Sequence, residues 1–219
     1  MELISLAWDF LVHLDAHIAA FLAEHGAWVY GLLFLIVFCE TGLVVIPFLP
    51  GDSLLFVVGA LAATGGLSIG LVIVLLIAAA LLGDNTNYWI GRWLGPKVFR
   101  WENSILFNRK HLDRTRAFYD KHGGKTIIIA RFMPFVRTFA PFVAGVGRMP
   151  YVRYIGFCIA GALLWVVSLT MLGYFFGNIP VVKKNLTVVI FGIIALSLMP
   201  MVYEYFKARR AARPQLPAD

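Results

Sequence analysis

Two acids and two arginines stand inside long apolar stretches, each pair beside prolines. Glu40 and Asp52 bracket a segment that holds Pro47 and Pro50, and Arg131 and Arg137 bracket Pro134, with Pro141 just beyond. An ionisable group at membrane depth costs roughly 2.5 kcal/mol even on the mildest scale, and such groups mark functional sites. A carboxylic acid in a dry place can take up a proton, so Glu40 and Asp52 are the candidate proton-coupling residues. Arginine stays charged and offers a planar fork of donors to an anion, so Arg131 and Arg137 are the candidate anion-binding residues. The four prolines break the helices there, and an exposed helix start adds N–H donors for an anion. Without a ligand, the acids can pair with the arginines and avoid uncompensated buried charge. A plainer reading is a buried set of salt bridges that only locks two segments together.

The elements that position these charges belong to a membrane protein. The 219 residues are 60% hydrophobic with mean hydropathy +0.81. Only 14% are charged, against about 25% in soluble domains. Residues 1–91 hold no Lys or Arg and seven acids, whereas all 19 basic residues lie from Arg92 onward. The basic segments flank apolar spans, so the positive-inside rule accounts for them and nucleic acid is not an expected partner. Two cysteines, Cys39 and Cys158, read as buried free thiols. No zinc-ligand spacing and no cofactor motif appears. The N-terminus lacks the basic start of a secretory signal peptide and is expected to be retained.

The fold class read from the pattern is an all-α integral membrane protein in one domain, 1–207. Residues 1–25 form an amphipathic helix whose polar stripe is Ser5, Asp9, His13 and His17. The histidine spacing also admits a metal or pH-sensor reading, though no third ligand stands nearby. Whether this helix spans or lies on the membrane stays open. Residues 28–66 carry two half-length apolar runs around Pro47 and Pro50 and read as a first re-entrant hairpin. A kinked complete span is the alternative. Residues 67–95 form a transmembrane helix, 96–125 a basic cytoplasmic loop, and 126–147 a second re-entrant hairpin entering from the opposite side. Residues 151–177 and 186–206 are transmembrane helices, and 208–219 a basic disordered tail. The loop and the C-terminus are expected on the cytoplasmic side.

Gly91–Gly95 closes the helix after the first hairpin, and Gly173–Gly177 closes the helix after the second. The unit of hairpin plus span therefore occurs twice, which suggests inverted repeats with a site near the midplane. Small residues at this spacing also serve helix packing alone. Asp84 and Arg92 share one helical face. They read as accessory site residues or as an interfacial packing pair. Trp89, Trp93 and Trp101 suit an aromatic belt.

Three ordered motifs resemble those of the DedA membrane protein family. The first is Phe38-Cys39-Glu40-Thr41-Gly42-Leu43 followed by Phe48-Leu49-Pro50-Gly51-Asp52. The second is Gly83-Asp84-Asn85-Thr86-Asn87-Tyr88-Trp89-Ile90-Gly91-Arg92. The third joins Lys121-His122-Gly123-Gly124-Lys125, Ala130-Arg131-Phe132-Met133-Pro134 and Val136-Arg137-Thr138-Phe139-Ala140-Pro141. The resemblance covers roughly residues 5–207. It implies the fold of the VTT, or SNARE-associated, domain of eukaryotic lipid scramblases. It implies a multi-pass protein of the bacterial inner membrane that recycles undecaprenyl phosphate, with links to proton-motive force and envelope stress. The family's acidic pair falls on Glu40 and Asp52 and its arginine pair on Arg131 and Arg137.

Those implications give the expected function: a proton-coupled flippase for undecaprenyl phosphate or a related anionic lipid. The partners would be membrane lipids, a polyprenyl phosphate and protons, and a homo-oligomer is compatible with the sequence. A proton-coupled transporter or antiporter of a small ion or drug is the alternative, and a non-transporting assembly factor a third. No Ser/His/Asp set, metal cluster or phosphate loop points to an enzyme.

Overall fold

A computed structural model describes residues 14–43, 51–98 and 124–177, with a few isolated positions beyond. Every regular element among them is an α-helix. In chain order these are α1 (Leu14–His25), α2 (Trp28–Gly42), α3 (Gly51–Ala63), α4 (Ile69–Val98), α5 (Lys125–Ala130), α6 (Pro134–Val146) and α7 (Tyr151–Phe176). The segment holding Pro47 and Pro50, most of the basic loop, the 186–206 span, the tail, His13 and Trp101 lie outside the described residues.

Two helices dominate. Ile69–Gly95 and Tyr151–Phe176 are apolar and 27 and 26 residues long. Each is about 40 Å at 1.5 Å per residue, more than the roughly 30 Å of a hydrocarbon core. Neither stretch contains a proline, so nothing interrupts its backbone hydrogen bonding. Pro96 falls in the last turn of α4, and Pro150 caps α7. Pro134 opens α6 after the break at 131–133, and Pro141 sits inside it.

The directions follow from the contacts. Tyr30 meets Ser68 and Thr41 meets Asn87, so α2 runs parallel to α4. Tyr151 meets Asn85 and Trp165 packs in the cluster around Leu76 and Ala80, so α7 runs opposite to α4. Phe56, Gly59 and Ala60 of α3 lie against Gly173, Thr170 and Gly177 of α7, in parallel. Phe142, Gly145 and Val146 of α6 lie against Gly91, Tyr88 and Gly95 of α4, also in parallel. Gly124 meets Phe157 and Ile128 meets Gly161, so α5 runs with α7. Hence α2 and α3 are antiparallel to each other, and so are α5 and α6. The second arm of each hairpin packs on the long helix of the other half.

Glycines make these crossings possible. A Cβ on Gly59 would strike the Thr170 carbonyl, and one on Gly173 the Phe56 carbonyl. On the other seam, Gly145 lies on the Tyr88 carbonyl and Gly91 on that of Phe142. Backbones in such contact give van der Waals packing where lipid offers no hydrophobic drive between helices.

The main core holds Leu33, Val37, Leu55, Val58, Leu76, Ala80, Trp165 and Val166, and a smaller one holds Tyr88, Ile127, Ala144, Tyr154 and Cys158. The outer faces are apolar too: Leu71, Val74 and Leu82 on α4 and Val152, Leu163, Leu164 and Phe175 on α7 are exposed. Charge lies inside instead, at Glu40, Asp84, Arg131 and Arg137. Apolar outside and charged inside is the arrangement expected in lipid. The described part of the N-terminal segment, α1, buries Ile18 in the main core and sets Leu22 against Gly66. It therefore docks on the bundle, with His17 and His25 exposed.

Candidate functional site

The end of α2, the start of α3, the end of α5 and the start of α6 meet between the long helices. Glu40 stands in the last turn of α2 and Asp52 in the first turn of α3. Arg131 follows the end of α5, and Arg137 lies in the first turn of α6. Asp84, on α4, is about 22 Å along the axis from Ile69, and Trp165, on α7, is about 21 Å from Tyr151. The site is thus near mid-length of both long helices.

Arg137 joins the two hairpins. Its Nη1 donates to Asp52 Oδ1 at 2.8 Å, and its Nη2 pairs with Glu40 Oε1. Its guanidinium lies 5.1 Å from the Trp165 ring centre, within cation–π range. Trp165 Nε1 donates to the same Asp52 oxygen at 2.8 Å. Glu40 also accepts from the Gly51 backbone N–H at 3.1 Å. A Cβ at position 51 would run into that carboxylate, so glycine lets α3 begin against it. The first N–H of α3 is thus turned to Glu40, and Asp52 in that first turn complements the positive end of the helix.

Arg131 pairs with Asp84 and donates more weakly to the Cys158 carbonyl at 3.4 Å. This departs from the expectation that Glu40 and Asp52 would serve both arginines. Arg137 takes both of those acids, and α4 supplies the partner of Arg131. The reason is local: α5 lies along α7, where Gly161 leaves room for the Arg131 side chain. A Cβ there would stand 2.9 Å from Arg131 Cδ. Asp84 is therefore a central member of the cluster. Arg92 is elsewhere, exposed, bonded to Tyr88 Oη at 3.0 Å and 5.7 Å from the Trp89 ring centre. Trp89 and Trp93 are exposed as well, in keeping with an interfacial belt. Both cysteines are free.

One small cavity is lined by Thr41, Asp84, Ile127, Arg131, Arg137, Pro141 and Trp165. Both arginines reach it. Around it, Glu40 Oε2, Arg131 Nε and Arg137 Nε are buried without a hydrogen-bond partner. Buried polar atoms in folded proteins are nearly always paired, so each exception calls for an explanation. Three carboxylates face two guanidinium groups, so the fully ionised cluster carries one excess negative charge.

Four contributors escaped the sequence reading. Trp165 was visible as an indole in mid-span, far from either interface, where its N–H needs a partner. Asn87 is fully buried and donates to the Thr41 carbonyl at 3.2 Å and the Thr138 carbonyl at 2.6 Å, tying α2 and α6 to α4. Gly51 and Gly161 gave no local signal, because their roles depend on side chains distant in sequence. No group of His, Cys, Asp and Glu among the described residues could hold a metal ion.

Comparison with known proteins adds kinship. Residues 49–175 match the VTT domain. The chain is 56% identical to Protein DedA of Escherichia coli K12 over 214 residues, 97% of this chain and 98% of that one. It is 44% identical over 185 residues to an uncharacterized membrane protein of Mycobacterium leprae, covering 83% of each. It is 41% identical over 157 residues to the inner membrane protein YqjA of Escherichia coli K12, covering 71% of this chain and 70% of that one. No solved structure matches.

Proposed function

The chain belongs to the DedA family of VTT-domain membrane proteins, and from that premise we propose that it carries an anionic lipid head, of the polyprenyl phosphate class, across the inner membrane with proton coupling. The observation that carries this reading is the meeting of Arg131 and Arg137 at one buried cavity, each held by carboxylates that can release it. A phosphate head needs donors that replace its water, and two guanidinium forks supply them. The unpartnered Nε of each arginine offers a further N–H to phosphate oxygens. The apolar tail stays in lipid while the head passes between the hairpins.

Several features support the membrane arrangement. The antiparallel courses of α2 with α3 and of α5 with α6 suit two re-entrant hairpins better than two kinked crossings. Their exchange between long helices that run in opposite directions suits inverted repeats. Broken backbone at depth is tolerated where protein surrounds it, as the long helices do here. The name of the YqjA relative supports the inner membrane, and the basic loop and tail support a cytoplasmic C-terminus.

Purified protein in liposomes, with a pH gradient, should move undecaprenyl phosphate in preference to phosphatidylethanolamine and phosphatidylglycerol. Glu40→Gln should fold but lose the dependence on the gradient. Equal movement of all three lipids, or gradient-dependent transport by E40Q, would reject the reading. The excess negative charge of the cluster favours a second reading, a proton-coupled transporter of a small cation. Cation flux without lipid movement in the same vesicles would select it.

A further inference from the structure

We propose that Asp84 is the third acid of the exchange: it holds Arg131 when the site is empty, competes with the phosphate for it, and takes up a proton when the head binds. The inference rests on the anionic-head reading above and assigns regulation to a residue that lies outside both hairpins.

The cluster has two unequal halves. Arg137 bridges Glu40 and Asp52, so one acid can leave it and the other still compensates its charge. Arg131 has Asp84 as its acidic partner, with the Cys158 carbonyl at 3.4 Å. A phosphate oxygen that takes Arg131 therefore leaves Asp84 as a buried anion beside another anion. That state is costly unless the acid is neutralised. Among the described residues, the cations facing Asp84 are Arg131 and Arg137, and Arg137 is held by Glu40 and Asp52. Arg131 and Arg137 face it from the second hairpin, and Tyr154 and Cys158 from α7. Glu40 and Asp52 stand behind Arg137.

The donor count points the same way. A pair built only to lock helices would use its donors, yet Arg131, which lines the cavity, keeps a buried Nε without a partner next to Gly161. Gly161 meanwhile clears space on α7 for the arginine stem. Asp84 therefore sets how readily Arg131 is given up, and one proton accompanies each head through its carboxylate. Tyr154 of α7, backed by Tyr88 of α4, anchors the backbone at Asp84. The Asp84 carbonyl accepts from Tyr154 Oη at 2.8 Å, and Tyr154 stacks on Tyr88 with ring centres 4.3 Å apart. The backbone that carries the carboxylate is thus held while Arg131 moves.

The test measures binding of a short-chain isoprenyl monophosphate to the full chain in detergent, in weak buffer with a pH indicator. Wild type should bind the phosphate and take up protons. D84N should bind on the order of tenfold more tightly and take up about one proton fewer per phosphate, while D84E should keep the wild-type count. D84N that binds more weakly with an unchanged proton count would overturn the proposal and leave Asp84 a lock. Should D84N not fold, the paired neutralisation D84N/R131Q removes both buried charges together. It should bind phosphate at background level, whereas near-wild-type binding through Arg137 alone would overturn the proposal. Failure of wild type to bind the phosphate at all would instead reject the anionic-head reading.

Discussion

Arg137→Lys separates a recognition site from a simple lock, and its size can be worked from the contacts. Arg137 offers Nη1 to Asp52 at 2.8 Å and Nη2 to Glu40. A lysine has one ammonium on a flexible stem and no fork, so it can hold one of these acids well but not both. The acid left over loses a charge-assisted hydrogen bond worth about 1.5–3 kcal/mol. The contact with the Trp165 face at 5.1 Å also weakens, at about 0.5–2 kcal/mol. The loss is therefore roughly 2–5 kcal/mol. Arg131→Lys should cost less, because Arg131 serves the single acid Asp84. The phosphate head would use the same fork, so a like loss of about 2 kcal/mol with the head bound should lower the initial rate of polyprenyl phosphate translocation by R137K in proteoliposomes by about 30-fold. The assay is normalised to protein that elutes as a single species in size-exclusion chromatography. A thermal melt ranks the three proteins, with R137K below R131K and both below wild type. R137K transporting within about threefold of wild type, or melting above R131K, would refute the bridging role.

Trp165→Phe keeps the ring against Arg137 but removes the N–H to Asp52. Transport should slow by about tenfold, equivalent to roughly 1.4 kcal/mol, and the melting temperature should fall by less than in R137K. An unaltered rate would show that the indole only packs. Gly145→Ala and Gly59→Ala each push a methyl into the backbone of the opposite long helix. Each should destabilise by about 1–3 kcal/mol in a thermal melt. Gly70→Ala, where nothing lies within 4 Å of the new Cβ, should be neutral or slightly stabilising, and equal loss at all three would argue against seam packing.

What the sequence made legible and what it hid divide along physical lines. Long apolar runs without proline declare themselves by composition, and long helices stand there, at Ile69–Val98 and Tyr151–Phe176. Four of the five clustered charges are conspicuous because each sits near a proline break, where polar residues have no packing excuse. Asp84 is harder to see. It lies in an unbroken helix four positions from the amphipathic Tyr88 and eight from Arg92, and a shared face with Arg92 suggests a local pair. Tertiary structure decides otherwise, because α5 delivers Arg131 to the middle of α4 while Arg92 stays at the exposed end. Contacts such as Asn87 with Thr138 join residues far apart in sequence, and periodicity carries no information about them.

The two halves of the bundle share a frame but not a chemistry. Gly173 and Gly177 on α7 stand to Phe56 and Ala60 on α3 as Gly91 and Gly95 on α4 stand to Phe142 and Val146 on α6. The match is in backbone contact, which asks only for small residues at a fixed spacing. That explains why the internal echo is faint: few side chains are needed to keep it. The charges break the symmetry. The first half supplies Glu40, Asp52 and Asp84, all acids, and the second supplies Arg131 and Arg137. Had each half kept its own balanced pair, each hairpin could satisfy itself and the halves would be held by packing alone. With opposite charges on opposite halves, every ion pair at the centre crosses between them. Relative motion of the halves therefore cannot occur without exchanging those partners. An anion that takes the arginines, together with protons that take the acids, dissolves the ties that hold the halves at mid-depth. Under the proposed function, the binding of the head and the freedom of the halves to move would be one event, which is what coupling requires.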